Sequence, residues 1–253
     1  MGSAVGHTES HTYNKPAFRL SVVVPMHNEA GGIARLMAEI SAALSDFAPF
    51  EIIAVDDASR DRTLDELKAA LSVVPQLRIV QHDHNCGQSQ ATISGVLAAR
   101  GTWVATLDGD GQNDPADILK LIAARDERTG PDATLFIGHR TQRDEGHKTT
   151  ASKIANAIRA FILRDATPDS GCGLKLFHRD LFLALPRFNA LHRFMPALTL
   201  RAGGGVVSVP VSQRPRTYGR SHYGIFGRGL IGLIDLLGVW WLMRRHTQPK
   251  MKT

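Results

Sequence analysis

The sequence predicts an α/β chain built on a doubly wound, mostly parallel sheet with helices on both faces. Two observations carry this expectation. Short β-branched runs alternate with helical segments from about residue 19 to 138, and most of these runs stop in acidic or polar loops. The chain is also long enough, at 253 residues with 43% hydrophobic content, to bury a sizeable core.

The elements follow in order. Arg19–Pro25 is a β-branched run stopped by proline and reads as a buried strand. Ala30–Leu44 has helical periodicity. Glu51–Asp57 is a second strand ending in acids, and Thr63–Leu71 is helical. Leu77–Gln81 is a third strand and Gln88–Arg100 a helix. Trp103–Leu107 is the fourth strand, a helix runs from about Pro115 to Asp126, and Ala133–Gly138 is the fifth strand. The second half is less regular. Thr150–Arg164 reads as a helix with Ile154, Ile158, Phe161 and Ile162 on one apolar face. Ser170–Phe177 reads as a loop leading into a strand, Leu191–Arg201 as a helix and Val206–Val211 as an alternating strand. No internal repeat interrupts this order. The expected divisions are a disordered tail over 1–17, one domain over 18–224, a helix over 225–246 and a basic tail over 247–253.

Composition narrows the partners. The net charge of +6 and a pI near 9.6 favour an anionic partner: nucleic acid, anionic lipid or a phosphorylated substrate. Cys86 and Cys172 lie far apart with no CxxC pair, which excludes a disulfide framework and suits a reducing compartment. The eleven histidines show no metal-ligand spacing. The polar stretch up to about Lys15 has no apolar core of the kind a secretory signal requires.

In doubly wound sheets, ligands sit beyond the carboxyl ends of the strands. Those ends here carry Pro25-Met26-His27-Asn28-Glu29, Asp56-Asp57-Ala58-Ser59-Arg60-Asp61, His84-Asn85-Cys86-Gly87 and Asp108-Gly109-Asp110-Gly111-Gln112. Two carboxylates one residue apart at a strand end offer oxygen ligands to one point, which suits Mg²⁺ or Mn²⁺. The interleaved glycines admit a bulky ligand. A plain turn is the competing reading of Asp-Gly pairs. A calcium hand is excluded, because Asn113 and Leu119 stand where glycine and glutamate are required. Three acidic strand ends in one sheet favour a metal-bridged diphosphate site.

Taken together, these motifs resemble the family-two inverting glycosyltransferases with the GT-A fold, in the branch of the polyprenyl- or dolichyl-phosphate sugar synthases. Val23–Glu29, Val55–Asp61, Asn85–Gln88, Leu107–Pro115 and Gly138-His139-Arg140 carry the resemblance, with the basic segment Arg216–Gly224. It covers about residues 18 to 224. The resemblance implies that Asp108, Asp110 and Gln112 coordinate Mg²⁺ or Mn²⁺ on a donor diphosphate. It implies that Pro25, Asn28, Glu29, Asp56, Asp57, Gly87, Gln88 and Asp108 hold the nucleotide-sugar. Arg140 would contact phosphate and join the catalytic set. Lys175, Arg214, Arg216, Arg220 and Ser221 would meet an acceptor phosphate, as guanidinium groups bind phosphate oxygens in pairs. The implied reaction moves one sugar from a UDP- or GDP-sugar to a polyprenyl phosphate. The product would serve as a donor for cell-envelope glycan, lipid A or protein glycosylation. The chain departs from the processive synthases, since His192–Leu198 stands where their Gln-x-x-Arg-Trp motif would fall.

Gly229–Met243 is an apolar run broken by Asp235 and followed by Arg244 and Arg245. As a helix it is about 22 Å long at ~1.5 Å per residue, short of a bilayer core of about 30 Å. An amphipathic interfacial helix is expected, with Trp240 and Trp241 at headgroup level and the basic tail against anionic lipid. That places the protein peripherally on the cytoplasmic face of a membrane, with a small integral membrane protein as a possible partner and no nucleic acid. Two other readings stay open. A soluble family-two transferase acting on a sugar hydroxyl would need a general base, for which Asp169 is the late-loop candidate. A non-catalytic nucleotide-binding protein would use the basic surface, although the acidic cluster opposes a polyanion.

Overall fold

The computed structural model describes residues 18–47, 49–129, 133–140, 158–165, 167–215 and 225–245. Strand β1 (Phe18–Met26) leads to helix α1 (Ile33–Ala43), and β2 (Phe50–Asp56) to α2 (Thr63–Ala70). Next come β3 (Leu77–Gln81), α3 (Gln88–Ala98), β4 (Gly101–Thr106), α4 (Asp117–Asp126) and β5 (Thr134–Arg140). Helix α5 is described over 158–163. The chain then forms β6 (Lys175–His178), α6 (Arg179–Leu183), α7 (Leu191–Arg201), β7 (Gly205–Val211) and α8 (Ile225–Arg244).

Seven strands form one sheet in the order β3-β2-β1-β4-β6-β5-β7. All pairs are parallel except those of β6, which runs antiparallel between β4 and β5. The mostly parallel sheet expected from the sequence is therefore present, and the reversal at β6 is new. Its consequence is positional. Lys175, the first residue of β6, pairs with Thr106 of β4 and Ile137 of β5, so it stands at the carboxyl end of β4 and midway along β5.

Alternation along β1 shows why helices cover both faces. Leu20, Val22, Val24 and Met26 enter one core with Ile33, Leu36, Met37 and Ile40 of α1. Val23 enters the other with Ile53, Val55 and residues of α3, α6, α7 and α8. Each fully buried Val, Leu or Ile contributes roughly 1.5–3 kcal/mol. A one-residue slip would exchange the two sets and strand them against the wrong helices.

The C-terminal helix forms, and among its described side chains apolar groups lie both against the domain and in the open. Leu236 and Val239 are buried against the domain, while Leu233, Ile234, Leu237 and Trp241 are about half exposed. At 100° per residue these make two opposite faces, both apolar. Asp235 lies on the domain side, where burial pushes its carboxyl up and the charge of Arg193 on α7 opposes the shift. No described helix is long and apolar enough to cross a membrane. The tails over 1–17 and 247–253 and the first turns of the helix expected from Thr150 lie outside the described residues.

Candidate active site

The β1–α1 loop is knit to the segment after β2. Asn28 N donates to Ser59 Oγ (3.0 Å), Glu29 N to Thr63 Oγ1 (2.9 Å) and Ala30 N to Asp61 Oδ2 (3.1 Å). Gly31 N donates to both oxygens of Glu66 (2.9 and 3.0 Å). In return Asn28 Oδ1 accepts from Arg60 N (2.7 Å). Asn28 adopts φ 55°, a left-handed conformation that asparagine tolerates, and this delays the start of α1 to Ile33. Burial pushes the Asp61 carboxyl up, but hydrogen bonds from Thr63 and Ala30 outweigh it and hold the pKa below the usual carboxylate range.

The paired acids after β2 divide their work. Asp57 Oδ1 accepts from Cys86 N (2.8 Å) and meets His82 Nδ1 (2.7 Å), while Oδ2 accepts from Gly87 N (2.7 Å). The other ring nitrogen of His82 meets Ser94 Oγ (2.9 Å). Asp57 thus anchors the β3–α3 loop. There Gly87 caps α3 at φ +86°, a conformation other residues rarely adopt. Ligand atoms of Asp57, His82 and Cys86 lie within 4.8 Å of one another. Both carboxylate oxygens of Asp57 are already engaged with that loop, so we read the group as a hydrogen-bonded tie. Asp56 is different. It is fully buried, Oδ1 accepts from Ser59 N (3.2 Å), and Oδ2 has no hydrogen-bond partner.

The register places the acidic loop beside these residues, since Val23 pairs with Thr106 and Met26 with Asp56. Gln88 Nε2 donates to Asp108 Oδ1 (2.8 Å), and Gln112 N donates to Asp110 Oδ1 (3.0 Å). A strap following β7 holds the loop from outside. Ser212 N and Oγ donate to Asp117 Oδ2 (2.7 and 2.6 Å), and Arg214 N donates to Gln112 O (2.8 Å). The Arg214 guanidinium bridges Glu39 (2.6 Å) and Asp114 (3.0 Å). An open cleft between α1 and this loop is lined by Glu29, Glu39, Asp110 and Arg214 among others. Asp108, Asp110 and Gln112 offer only hard oxygen donors from one loop, a set that fits Mg²⁺ or Mn²⁺.

On the cationic side, Arg140 Nε and Nη2 donate to Asp169 Oδ2 (2.6 Å) and Oδ1 (2.7 Å), a bidentate pair with both side chains about 10% exposed. Burial acts against the Arg140 charge, yet Asp169 more than offsets it and its pKa is raised. Asp108 lies within electrostatic reach of the same guanidinium. Lys175 is 2% exposed and donates to the Cys172 carbonyl. Burial draws its pKa down.

Two of the residues expected on the acceptor side are already engaged within the domain. Lys175 is inside the domain because it heads a central strand, and Arg214 is held by two carboxylates. Arg140 is the last residue of β5, while Arg216, Arg220 and Ser221 lie outside the described residues. His82, Asp117, His192 and Ser212 were not singled out from the sequence. Position alone could have found His82, the first residue beyond a strand's carboxyl end. His192 meets Ser89 Oγ (2.7 Å), and burial pulls its pKa to about 3, with Lys175 and Arg193 adding to the shift, so it is neutral near pH 7.

Residues 21–185 match the family described as Glycosyl transferase family 2. The chain is 33% identical over 243 residues to a dodecaprenyl-phosphate galacturonate synthase of Rhizobium johnstonii, covering 92% of this chain and 70% of that protein. The chain belongs to glycosyl transferase family 2. It is also 30% identical to an undecaprenyl-phosphate 4-deoxy-4-formamido-L-arabinose transferase of Edwardsiella ictaluri, covering 86% of this chain and 65% of that one. The chain thus spans about two thirds of the length of these relatives. Among solved structures it is similar to a mannosyltransferase from Pyrobaculum calidifontis in complex with GDP-Man and Mn²⁺. That match has a TM-score of 0.65 and 22% identity, over 92% of this chain and 66% of the other. The likeness shows a GT-A-like fold. Nothing in these comparisons supports a separate membrane partner protein.

Proposed function

We propose that the protein transfers one sugar from a UDP- or GDP-sugar to a polyprenyl phosphate, with inversion at the anomeric carbon. The observation that carries the choice of acceptor is the Arg140–Asp169 pair. Both Asp169 oxygens are bound by the guanidinium, so this late-loop acid, the candidate for deprotonating a sugar hydroxyl, is held as a counter-ion. A phosphate monoester arrives already anionic and needs cations instead. A guanidinium has five N–H donors, and the pair uses Nε and one from Nη2, leaving others for a phosphate. The names of the family-two relatives from Rhizobium johnstonii and Edwardsiella ictaluri support the same acceptor class.

The roles follow from placement. Asp56, with its unpartnered buried oxygen, and the knit loop Pro25–Glu29 form the nucleoside side. Asp57 acts through the loop carrying Gly87 and Gln88. Asp108, Asp110 and Gln112 would hold Mg²⁺ or Mn²⁺, whose chemistry when bound is to neutralise charge on a departing diphosphate. Arg140 steadies the acceptor phosphate oxygen for in-line attack. Arg216, Arg220 and Ser221 extend this phosphate side.

The bare face of α8 suits the surface of a bilayer, with its tail at the headgroups: Arg244 stacks on Trp240 at 3.9 Å and Arg245 lies 5.7 Å from Trp241. A lipid-borne substrate then reaches the site from the cytoplasmic face. Its product serves as donor for later glycan, lipid A or protein glycosylation. The test is a donor screen. Purified protein, Mn²⁺ or Mg²⁺, a short polyprenyl phosphate and labelled UDP- and GDP-sugars are incubated, and label is followed into the organic phase. Transfer from one donor is the expected result; label passing only to water or to a soluble sugar would refute the proposal.

A further inference from the structure

We propose that the turn over 169–173 positions the metal ligand Asp108, with Gly173 as the contact and Lys175 as the anchor beneath it. This rests on the metal reading of the acidic loop given above. A Cβ on Gly173 would lie 2.2 Å from Asp108 Cγ, 2.2 Å from Oδ2 and 2.4 Å from Oδ1. An added methyl would push the Asp108 carboxylate aside, so the carboxylate's present position depends on glycine at 173. The turn is fastened at several points. Cys172 N donates to Asp169 O (3.1 Å), and Thr106 Oγ1 donates to Gly173 O (2.6 Å). Lys175 Nζ donates to the Cys172 carbonyl from a buried position. Thr106 and Lys175 face each other in the β4–β6 register, so the reversed strand delivers the turn to the metal loop.

The same turn begins at Asp169, which holds Arg140. One short segment therefore touches the donor side through Gly173 and the acceptor side through Asp169. Groups that orient metal ligands are worth roughly 10–100-fold in metal affinity when removed. Gly173 and Lys175 are positioning residues in this sense: they act through Asp108.

The test is Mn²⁺ binding to the purified chain without donor, read from the electron paramagnetic resonance signal of free Mn²⁺, beside thermal melting. Gly173→Ala is expected to bind roughly tenfold or more weakly while still melting cooperatively. Gly171→Ala, whose added carbon meets nothing within 4 Å, is expected to bind as the parent does. Thr106→Val removes the hydroxyl that fastens the turn and is expected to weaken binding by roughly tenfold. Parental affinity in a folded Gly173→Ala variant overturns the proposal. If that variant does not fold, parental affinity in Thr106→Val overturns it. Failure of the parent chain to bind Mn²⁺ overturns the metal reading itself, which separates the two failures.

Discussion

The Asp57 carboxylate receives three contacts from one loop, from Cys86 N, Gly87 N and His82. Asp57→Ala leaves those groups without their acceptor. Leaving a buried polar group unsatisfied costs about 1–3 kcal/mol, so we expect a loss of about 3 kcal/mol in urea denaturation; a loss under about 0.5 kcal/mol would mean that the loop holds itself. Acids at strand ends were legible in the sequence because the carboxyl ends of parallel strands face one crevice. What adjacency could not show is the division of labour between Asp56 and Asp57, which depends on a loop 25 to 30 residues further on. Charge was equally easy to read and burial was not. Lys175 sits between Leu174 and Leu176, an apolar setting that hinted at an interior position, whereas nothing near Arg214 announced Glu39, 175 residues away.

At the scale of elements, the strap after β7 and the helix α8 each make a prediction. Burial pushes the Asp117 carboxyl up, but hydrogen bonds from Lys120 and Ser212 outweigh it and the pKa is lowered. A depressed folded pKa adds stability above the unfolded value of about 3.9, and that stability is lost as pH falls through the folded pKa. Asp117→Asn should therefore destabilise the domain near neutral pH by about 1–3 kcal/mol and flatten its stability profile below about pH 4. An unchanged acid limb in pH-dependent denaturation would contradict this. On α8, Leu237 is 52% exposed and Val239 is 2% exposed. Leu237→Ser should reduce binding to anionic vesicles in co-sedimentation with little change in melting, whereas Val239→Ser should lower stability by about 1–3 kcal/mol. Unchanged sedimentation of Leu237→Ser would remove the membrane-surface reading. Periodicity revealed both strands and helices over residues 19–138, but it could not show that β6 is reversed, because four residues carry no direction. It also showed Asp235 only as a break in an apolar run, whereas proximity to Arg193 places it on the domain side.

For the whole molecule, the sheet order sets the sides proposed for donor and acceptor next to each other. Strands β3, β2, β1 and β4 end at the loops carrying Gly87, Asp57, Asn28 and Asp108, β5 and β7 end at Arg140 and the strap, and the reversed β6 begins at Lys175. The antiparallel β6 sits between the two groups and ties them through the turn over 169–173. The parallel half was predictable from the sequence, because each crossover helix leaves a periodic signature. The junction was not, since it depends on packing between segments far apart in sequence. The central claim is that the acceptor enters as an anion and needs no general base. Its most direct test compares a polyprenyl phosphate with the matching polyprenol under the same labelled donor and cation. The account predicts organic-phase product from the phosphate alone, releasing its sugar in mild acid to return the lipid phosphate. Glycosylation of the polyprenol at a comparable rate would contradict it.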